Sequence, residues 1–276
     1  MNHSENSAVQ SRTWTDYERG YRQVLGDPSF LAWRAAGARQ KALNIVRVCN
    51  SVSVSAVLEI GCGTGAVLQE LESIRFAKEY VASDVSEAAI EFVRRLCRQF
   101  LNGAFVASAG ALPFPDKRFS VAVLSHVIEH LEDPISAVRE AARVAEYAVI
   151  EVPTEKTFSN LVRTKLLGKP FISASAAGHL QFWSPGSIAA FLEEMCGVEI
   201  LARRTDFLCR EVEFHGRKGT SKAKPMLKEA LKSVLPGWMY ARLLTTHATF
   251  LCRERVRVRD AKKKDRDETI LGSDLP

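Results

Sequence analysis

The feature that most constrains the fold is a glycine-rich segment between an apolar run and a helical pattern. Residues 57–65 read VLEIGCGTG, and apolar residues then recur on one helical face from Val67 to Ile74. Glycine accepts positive φ and leaves no Cβ in the way of a ligand. A helix N-terminus beyond the turn presents unpaired N–H groups. The segment therefore predicts a strand, a tight turn and a helix that together bind a nucleoside cofactor.

The acid within this segment distinguishes between two kinds of cofactor. Gly61, Gly63 and Ala66 also fit the loose G-x-G-x-x-G/A pattern of dinucleotide-binding turns. Glu59 stands two residues before the first glycine, where a carboxylate would repel a pyrophosphate. The Glu59 carboxylate is compatible with a cofactor that has no phosphate and carries a sulfonium and an ammonium group. These charges favour S-adenosylmethionine over a dinucleotide.

A second acid follows at the spacing expected for a ribose ligand. Residues 79–84 read EYVASD, a short strand that ends in Asp84 about 20 residues after the glycines. A carboxylate at that place can accept hydrogen bonds from both hydroxyls of a ribose. Ser86 is a suitable N-cap for the next helix, and a third strand is predicted at residues 104–107.

A second motif lies farther along the chain. Residues 111–134 read ALPFPDKRFSVAVLSHVIEHLEDP. Residues 112–116 have turn composition, residues 119–124 form a continuous apolar run typical of a buried strand, and Asp133-Pro134 is a helix start.

Together the two motifs resemble the class I S-adenosylmethionine-dependent methyltransferases of the small-molecule type. The resemblance covers roughly residues 55–155. It implies an α/β fold with a doubly wound, mostly parallel seven-stranded sheet, N-terminal helices and a helical insertion between the last two strands. It also implies S-adenosyl-L-methionine as cofactor. The cofactor-binding positions that it implies are Glu59, Gly61, Cys62, Gly63, Gly65, Asp84, Val85, Ser108, Ala109, Leu112 and Ser125.

Two positions depart from the family pattern. The family usually carries an aspartate before the LPFPD turn, where this chain has Ser108 or Ala109, and another at the position of Ser120. A serine hydroxyl accepts a weaker hydrogen bond than a carboxylate does. The glycine turn and Asp84 are unaffected, so cofactor binding is still expected.

The remaining segments predict the following organisation. An N-terminal tail and helical cap span residues 1–48, the methyltransferase domain spans 49–253, and a charged, disordered tail spans 254–276. The domain contains an irregular loop at 154–184 and a basic insertion at 208–245. Further strands are predicted at 148–152, 197–207 and 246–252.

Three histidines are candidates for catalysis: His126, His130 and His179. Histidine suits proton transfer near neutral pH, and His126 follows the fourth strand, where open α/β sheets bind ligands. The i, i+3, i+4 spacing of His126, Glu129 and His130, with His179 nearby, leaves a metal site open as an alternative. We assign no metal ligand from the sequence alone.

Charge and cysteine content bear on partners and location. The formal net charge is +6, and residues 203–242 alone carry ten basic and four acidic side chains. The basic excess therefore lies outside the predicted catalytic core, which argues against a core that is wrapped in nucleic acid. The six cysteines are scattered and form no Cys-x-x-Cys pair. The sequence shows no signal peptide and no apolar run of about 20 residues. These features predict a cytoplasmic protein.

A small-molecule acceptor is favoured, and three alternatives stay open. An RNA methyltransferase would use the basic insertion, and a cofactor-binding partner subunit would lack catalysis. Peripheral membrane contact through residues 222–244 competes with the favoured interpretation, a structural cover on the sheet edge or on a second copy of the chain. A homo-oligomer is compatible with the sequence.

Overall fold

Seven strands form one sheet in the computed structural model, which describes residues 14–168, 178–207, 222–244 and 246–255. The strands are β1 (Ala56–Ile60), β2 (Glu79–Asp84), β3 (Leu101–Val106), β4 (Phe119–Ser125), β5 (Ala145–Thr154), β6 (Val198–Asp206) and β7 (Thr246–Glu254). Their order is β3-β2-β1-β4-β5-β7-β6. Strand β7 runs antiparallel to both of its neighbours, β5 and β6, whereas the pairs among β1 to β5 are parallel. The predicted fold class is confirmed.

The helices that flank this sheet are α1 (Trp14–Val24), α2 (Pro28–Val48), α3 (Ala66–Ser73), α4 (Glu87–Leu96), α5 (Pro134–Val144), α6 (Phe158–Leu167), α7 (Pro185–Ala190), α8 (Ala223–Val234) and α9 (Gly237–Leu243). A π-helical turn, Phe191–Cys196, continues α7. The predicted caps are present, since Ser86 accepts from Ala89 N and Asp133 accepts from Ser136 N. Among the described residues, no helix has the length and hydropathy needed to cross a bilayer.

The central strands are buried on both faces, which accounts for their continuous apolar sequences. All five residues of β1 are buried, and so are the last five of β4. Two apolar clusters cover the sheet. One packs beneath α5 and α7, and the other packs beneath α2, α3 and α4. The strand order reverses between β1 and β4, and ligands bind at this kind of switch point in open α/β sheets.

Several predicted boundaries need correction. Strand β3 begins at Leu101, earlier than predicted, and β5 extends from Ala145 to Thr154. Part of the predicted irregular loop is the helix α6. Thr157 Oγ1 lies 3.4 Å from Asn160 N at its first turn, a weak cap that is easily missed in a sequence. Strand β7 continues to Glu254, the first residue of the predicted tail. The residues before 14, those after 255 and the middle of the predicted loop lie outside the described residues.

The described part of the basic insertion comprises α8 and α9, and it only partly fits the predicted structural cover. Tyr240 of α9 is buried and packs against Phe207, with ring centroids 4.5 Å apart. On α8, however, Met226, Leu227 and Val234 are exposed. The amphipathic spacing of α8 predicts an apolar face but not what this face packs against. In this structure much of that face is exposed to solvent.

Candidate active site

The glycine turn leaves β1 in a backbone conformation that suits glycine. Gly61, Gly63 and Gly65 have φ values of +70°, +54° and +70°, in the left-handed region where a Cβ is strained. The amides of Gly61 and Cys62 donate to the carbonyl of Ser83, at 2.8 and 3.0 Å. The turn is thereby tied to the end of β2, next to Asp84.

The N-terminal helices cover this turn. A Cβ placed on Gly63 would lie 2.7 Å from the hydroxyl of Tyr21 and 3.1 Å from a guanidinium nitrogen of Arg34. The carboxylate of Glu18 accepts from Ser86 Oγ at 2.7 Å and from Ala88 N at 3.2 Å. Helices α1 and α2 therefore close over the cofactor edge of the sheet. The helical cap was predicted, but the contacts of Glu18, Tyr21 and Arg34 were not, because only an aromatic and amphipathic pattern is visible in the sequence.

Asp84 occupies the centre of the predicted cofactor site. One carboxylate oxygen accepts from Gly63 N at 2.8 Å and the other accepts from Ser86 N at 2.9 Å. Burial raises the pKa of Asp84, while these amide donors and Arg34 act in the opposite direction. Each carboxylate oxygen has two acceptor positions, so both oxygens can still accept from a ribose.

Glu59 is buried at the end of β1, and the described residues supply no hydrogen-bond partner for its Oε2. Burial raises the pKa of Glu59 to about 8, against the opposing effect of the Arg34 and Lys41 cations. Thr64 Oγ1 is likewise buried without a partner among these residues. Unsatisfied buried polar atoms beside a turn that excludes Cβ atoms fit a polar, cationic ligand. The residues present therefore fit S-adenosylmethionine.

The other predicted cofactor positions surround this centre. Cys62 and Leu112 are buried, and Val85 is half-buried beside Asp84. Ser108 is exposed and forms an isolated bridge with Ala111, and Leu112 N donates to Glu140 Oε1 at 2.8 Å. Ala109 is half-buried in the same loop. The loop thus has backbone groups and a serine hydroxyl where the family usually has an aspartate.

Two of the three candidate histidines lie together. His179 Nδ1 is 2.8 Å from Glu155 Oε2, and His179 is buried. The ring centroids of His130 and His179 are 4.8 Å apart. One ligand atom from each of Glu129, His130 and His179 lies within 4.8 Å of the others, and Glu129 is fully buried. This cluster can move a proton or hold a divalent cation.

His126 lies in a different environment. It has a φ of +58°, its Nδ1 is 3.0 Å from Glu129 Oε1, and its ring is 4.5 Å from that of His247. Burial, together with the nearby Lys41 and Arg34 charges, holds the pKa of His126 well below its usual range. A histidine held neutral in this way is a weak base, so the geometry favours His179 for proton transfer.

A buried polar network lies next to His126. Ser125 Oγ donates to Glu151 Oε2 at 2.6 Å, and Thr249 Oγ1 is 3.4 Å from Glu151 Oε1. Lys41 of α2 faces the same network, and burial lowers the pKa of Lys41 to about 8. Sequence reasoning missed Lys41 and His247, since an isolated lysine in a helix and a histidine in an apolar strand give no local signal. Ser125 was predicted to contact the cofactor; in this structure its hydroxyl donates a hydrogen bond to Glu151 instead.

The buried histidines predict a pH effect on stability. Burial depresses the pKa of His126 and of His247, so below about pH 6.5 the unfolded chain binds protons that the folded chain does not. The free energy of unfolding therefore decreases as the pH falls below about 6.5, whereas above that pH the two histidines have no such effect. Glu59, whose pKa is raised, acts in the opposite direction. Wild-type protein should therefore lose about 1 kcal/mol more than His247→Gln between pH 6 and 5.

Urea unfolding of both proteins at several pH values measures this difference directly. Parallel stability curves for wild type and His247→Gln between pH 5 and 7 would show that His247 takes up its proton in the folded protein.

Comparisons with known proteins agree with the fold and with the predicted cofactor. Residues 58–147 match the family model described as "Methyltransferase domain". A probable S-adenosylmethionine-dependent methyltransferase of Mycobacterium tuberculosis is 36% identical over 106 residues, which cover 37% of each chain. A demethylmenaquinone methyltransferase of Tropheryma whipplei is 29% identical over 99 residues, covering 35% of this chain and 41% of that one. The matched region thus spans less than half the length of these curated relatives.

A solved structure extends the fold comparison over most of the chain. The N-methyltransferase NodS of Bradyrhizobium japonicum, in complex with S-adenosyl-L-homocysteine, has a TM-score of 0.54 at 14% identity. The superposition covers 86% of this chain and 97% of that one. At this identity the likeness concerns the fold. The family model and the curated relatives place residues 58–147 in a class I S-adenosylmethionine-dependent methyltransferase domain, and S-adenosyl-L-methionine is the cofactor of this domain.

Proposed function

We propose that the chain is a methyltransferase that transfers the methyl group of S-adenosyl-L-methionine to a small-molecule acceptor. The observation that carries the proposal is a carboxylate-paired histidine, His179 with Glu155, beyond the end of β5. In the same sheet, Glu59 lies one residue before the end of β1 and Asp84 is the last residue of β2. Parallel strands end at one edge of a sheet, which brings a cofactor site and a proton-transfer group to the same side.

The binding roles follow from the side chains at this edge. Asp84 accepts the ribose hydroxyls, and the buried Glu59 carboxylate offsets positive charge on the cofactor. Arg34 lies against Gly63 and is suited to pair with the carboxylate of the cofactor's amino-acid portion. When bound, the cofactor supplies a methyl group on a sulfonium, which is already reactive, so the protein's task is to orient the acceptor and exclude water.

His179 is proposed to take the proton that an acceptor hydroxyl or ammonium loses. Its Nδ1 faces Glu155, which orients the ring and stabilises its protonated form, so Nε2 is the nitrogen that faces an acceptor. His130, with its Nδ1 3.3 Å from the carbonyl of Gly178, supports the same segment. His126 stays a candidate from the sequence, with a less suitable environment.

A second role for the cluster is favoured by one observation. Glu129 is fully buried, and its carboxylate has no hydrogen-bond partner among the described residues, although His126 Nδ1 lies 3.0 Å from it. A divalent cation bound by Glu129, His130 and His179 would offset this charge, and Glu155 would then orient a ligand histidine. In that case the ion, and not His179, would activate the acceptor.

A small acceptor is favoured over RNA by the cover over the site. Helices α1 and α2 pack over the glycine turn, and a cover of this kind suits a small-molecule acceptor better than a folded nucleic acid. The Tropheryma whipplei relative is named for demethylmenaquinone, a small molecule. The five described cysteines are free thiols, as in proteins of a reducing cytoplasm, where we place the protein.

The test is transfer of a labelled methyl group. Purified protein is incubated with methyl-labelled S-adenosyl-L-methionine and either the small-molecule or the RNA fraction of a cell extract, and products are identified by mass spectrometry. We expect label in the small-molecule fraction only. Label in RNA would contradict the proposed acceptor class. Cofactor binding without any transfer would instead support a non-catalytic subunit.

A further inference from the structure

A groove separate from the cofactor turn lies between α6, α9 and strand β6. It has a volume of about 1150 Å³. Its walls come from parts of the chain outside residues 58–147, the region that matches the methyltransferase domain family. The groove is therefore formed by residues outside the segment that matches the family model.

The groove has an apolar wall that is open to solvent. Phe158 and Leu161 of α6 are 63% and 45% exposed, and Trp238 of α9 is 65% exposed. Large apolar side chains that face each other across a concave surface, and stay in water, mark a binding site for an apolar group.

The charge of the groove is of one sign. Lys156, Arg203 and Arg242 line it, and none of the described lining residues is acidic. In the described part of the chain these three cations form no salt bridge, whereas several other cations, such as Arg143 and Arg253, are paired. Unpaired cations beside an apolar surface are complementary to an anionic group attached to an apolar chain.

The groove also adjoins the proposed acceptor site. Lys156 is the neighbour of Glu155, the residue that orients His179, so their Cα atoms are about 3.8 Å apart. The amides of both residues donate to the carbonyl of Trp183, at 2.8 and 2.9 Å, and Ser184 beyond it lines the groove. The same backbone turn therefore holds the base and forms one end of the groove.

We propose that the groove binds the apolar chain of an anionic amphiphile, and that the acceptor of the proposed methyl transfer belongs to this class. The apolar chain contacts Phe158, Leu161 and Trp238, and a carboxylate or phosphate pairs with the arginines. This inference rests on the proposed function. The occupant of the groove is a single amphiphile molecule and not a membrane surface.

The probes are alkyl phosphates below their critical micelle concentration, with binding to the full chain measured by calorimetry. Affinity should rise about fourfold for each added CH₂ from octyl to dodecyl phosphate. Dodecyltrimethylammonium should bind far more weakly. Arg203→Gln/Arg242→Gln should weaken dodecyl phosphate binding by about tenfold or more. Arg95→Gln/Arg98→Gln, which removes the same charge from exposed positions on and after α4, should leave it unchanged.

Several outcomes would overturn the inference. It fails if dodecyltrimethylammonium binds as tightly as dodecyl phosphate, or if both double variants lose the same affinity. It also fails if affinity does not change with the length of the alkyl chain. Binding to vesicles of phosphatidylcholine and phosphatidylglycerol without binding of dispersed alkyl phosphate would indicate a membrane surface instead. S-adenosylhomocysteine binding, measured in parallel on every variant, reports on folding. If the cofactor binds and the alkyl phosphates do not, only this inference fails; if the cofactor does not bind, the proposed function fails.

Discussion

Replacing His179 with alanine is expected to lower turnover by roughly 10²–10⁴-fold, the usual contribution of a general base, while S-adenosylmethionine affinity barely changes. The reason is its position: His179 is paired with Glu155 at 2.8 Å and is not among the residues that surround the glycine turn. Turnover is measured with the acceptor identified by labelled methyl transfer, and cofactor affinity is measured by calorimetry. Glu155→Gln should give a smaller loss of turnover, because it removes orientation but not the ring.

Two controls separate the alternative roles of His179. His247→Gln changes a buried histidine that contacts His126 and not this cluster, so it should keep most of the activity. If Glu129, His130 and His179 bind a metal, protein purified without a histidine tag should contain near-stoichiometric ion, and a chelator should reproduce the effect of His179→Ala. Equal losses of turnover and cofactor affinity in His179→Ala would mean that the residue only supports the fold.

Replacing Asp84 with alanine is expected to weaken binding of S-adenosylmethionine and S-adenosylhomocysteine by about 1.5–3 kcal/mol, the scale of hydrogen bonds to a charged group. Asp84 is buried and joins the glycine turn to the first turn of α4 through its two oxygens. The affinity of the isolated chain for both ligands is measured by calorimetry, and NAD should give no binding heat.

A matched control is Asp116→Ala. The Asp116 side chain is 74% exposed and pairs with Arg143; it lies just before β4, at the end of the sheet opposite the glycine turn. Its loss should leave cofactor affinity unchanged. Binding of NAD with no binding of S-adenosylmethionine would contradict the assigned cofactor, and equal losses in both variants would indicate a general effect on folding.

Local sequence was sufficient to predict the backbone of the proposed cofactor half of the site. Positive φ at Gly61, Gly63 and Gly65 follows from the residue type, and the end of β2 at Asp84 follows from a short apolar run that stops at an acid. Strand and helix boundaries were less accurate, as with β3 and α6, since capping and register depend on hydrogen bonds that sequence patterns do not show.

The sequence by itself determined the strand-turn-helix unit and the places of Glu59 and Asp84 beside it, because these depend on backbone conformation and on short-range periodicity. The doubly wound sheet was expected from the resemblance of the two motifs to the methyltransferase family. Only the tertiary structure decided which histidines meet. It placed His179 beside Glu155 and His130, and it placed His126 beside His247. It also brought Arg34 and Lys41 of α2 to the buried acids. These contacts join residues far apart in the chain, and they arise from the way α2, the 178–184 segment and β7 pack on the sheet edge, which no local pattern encodes.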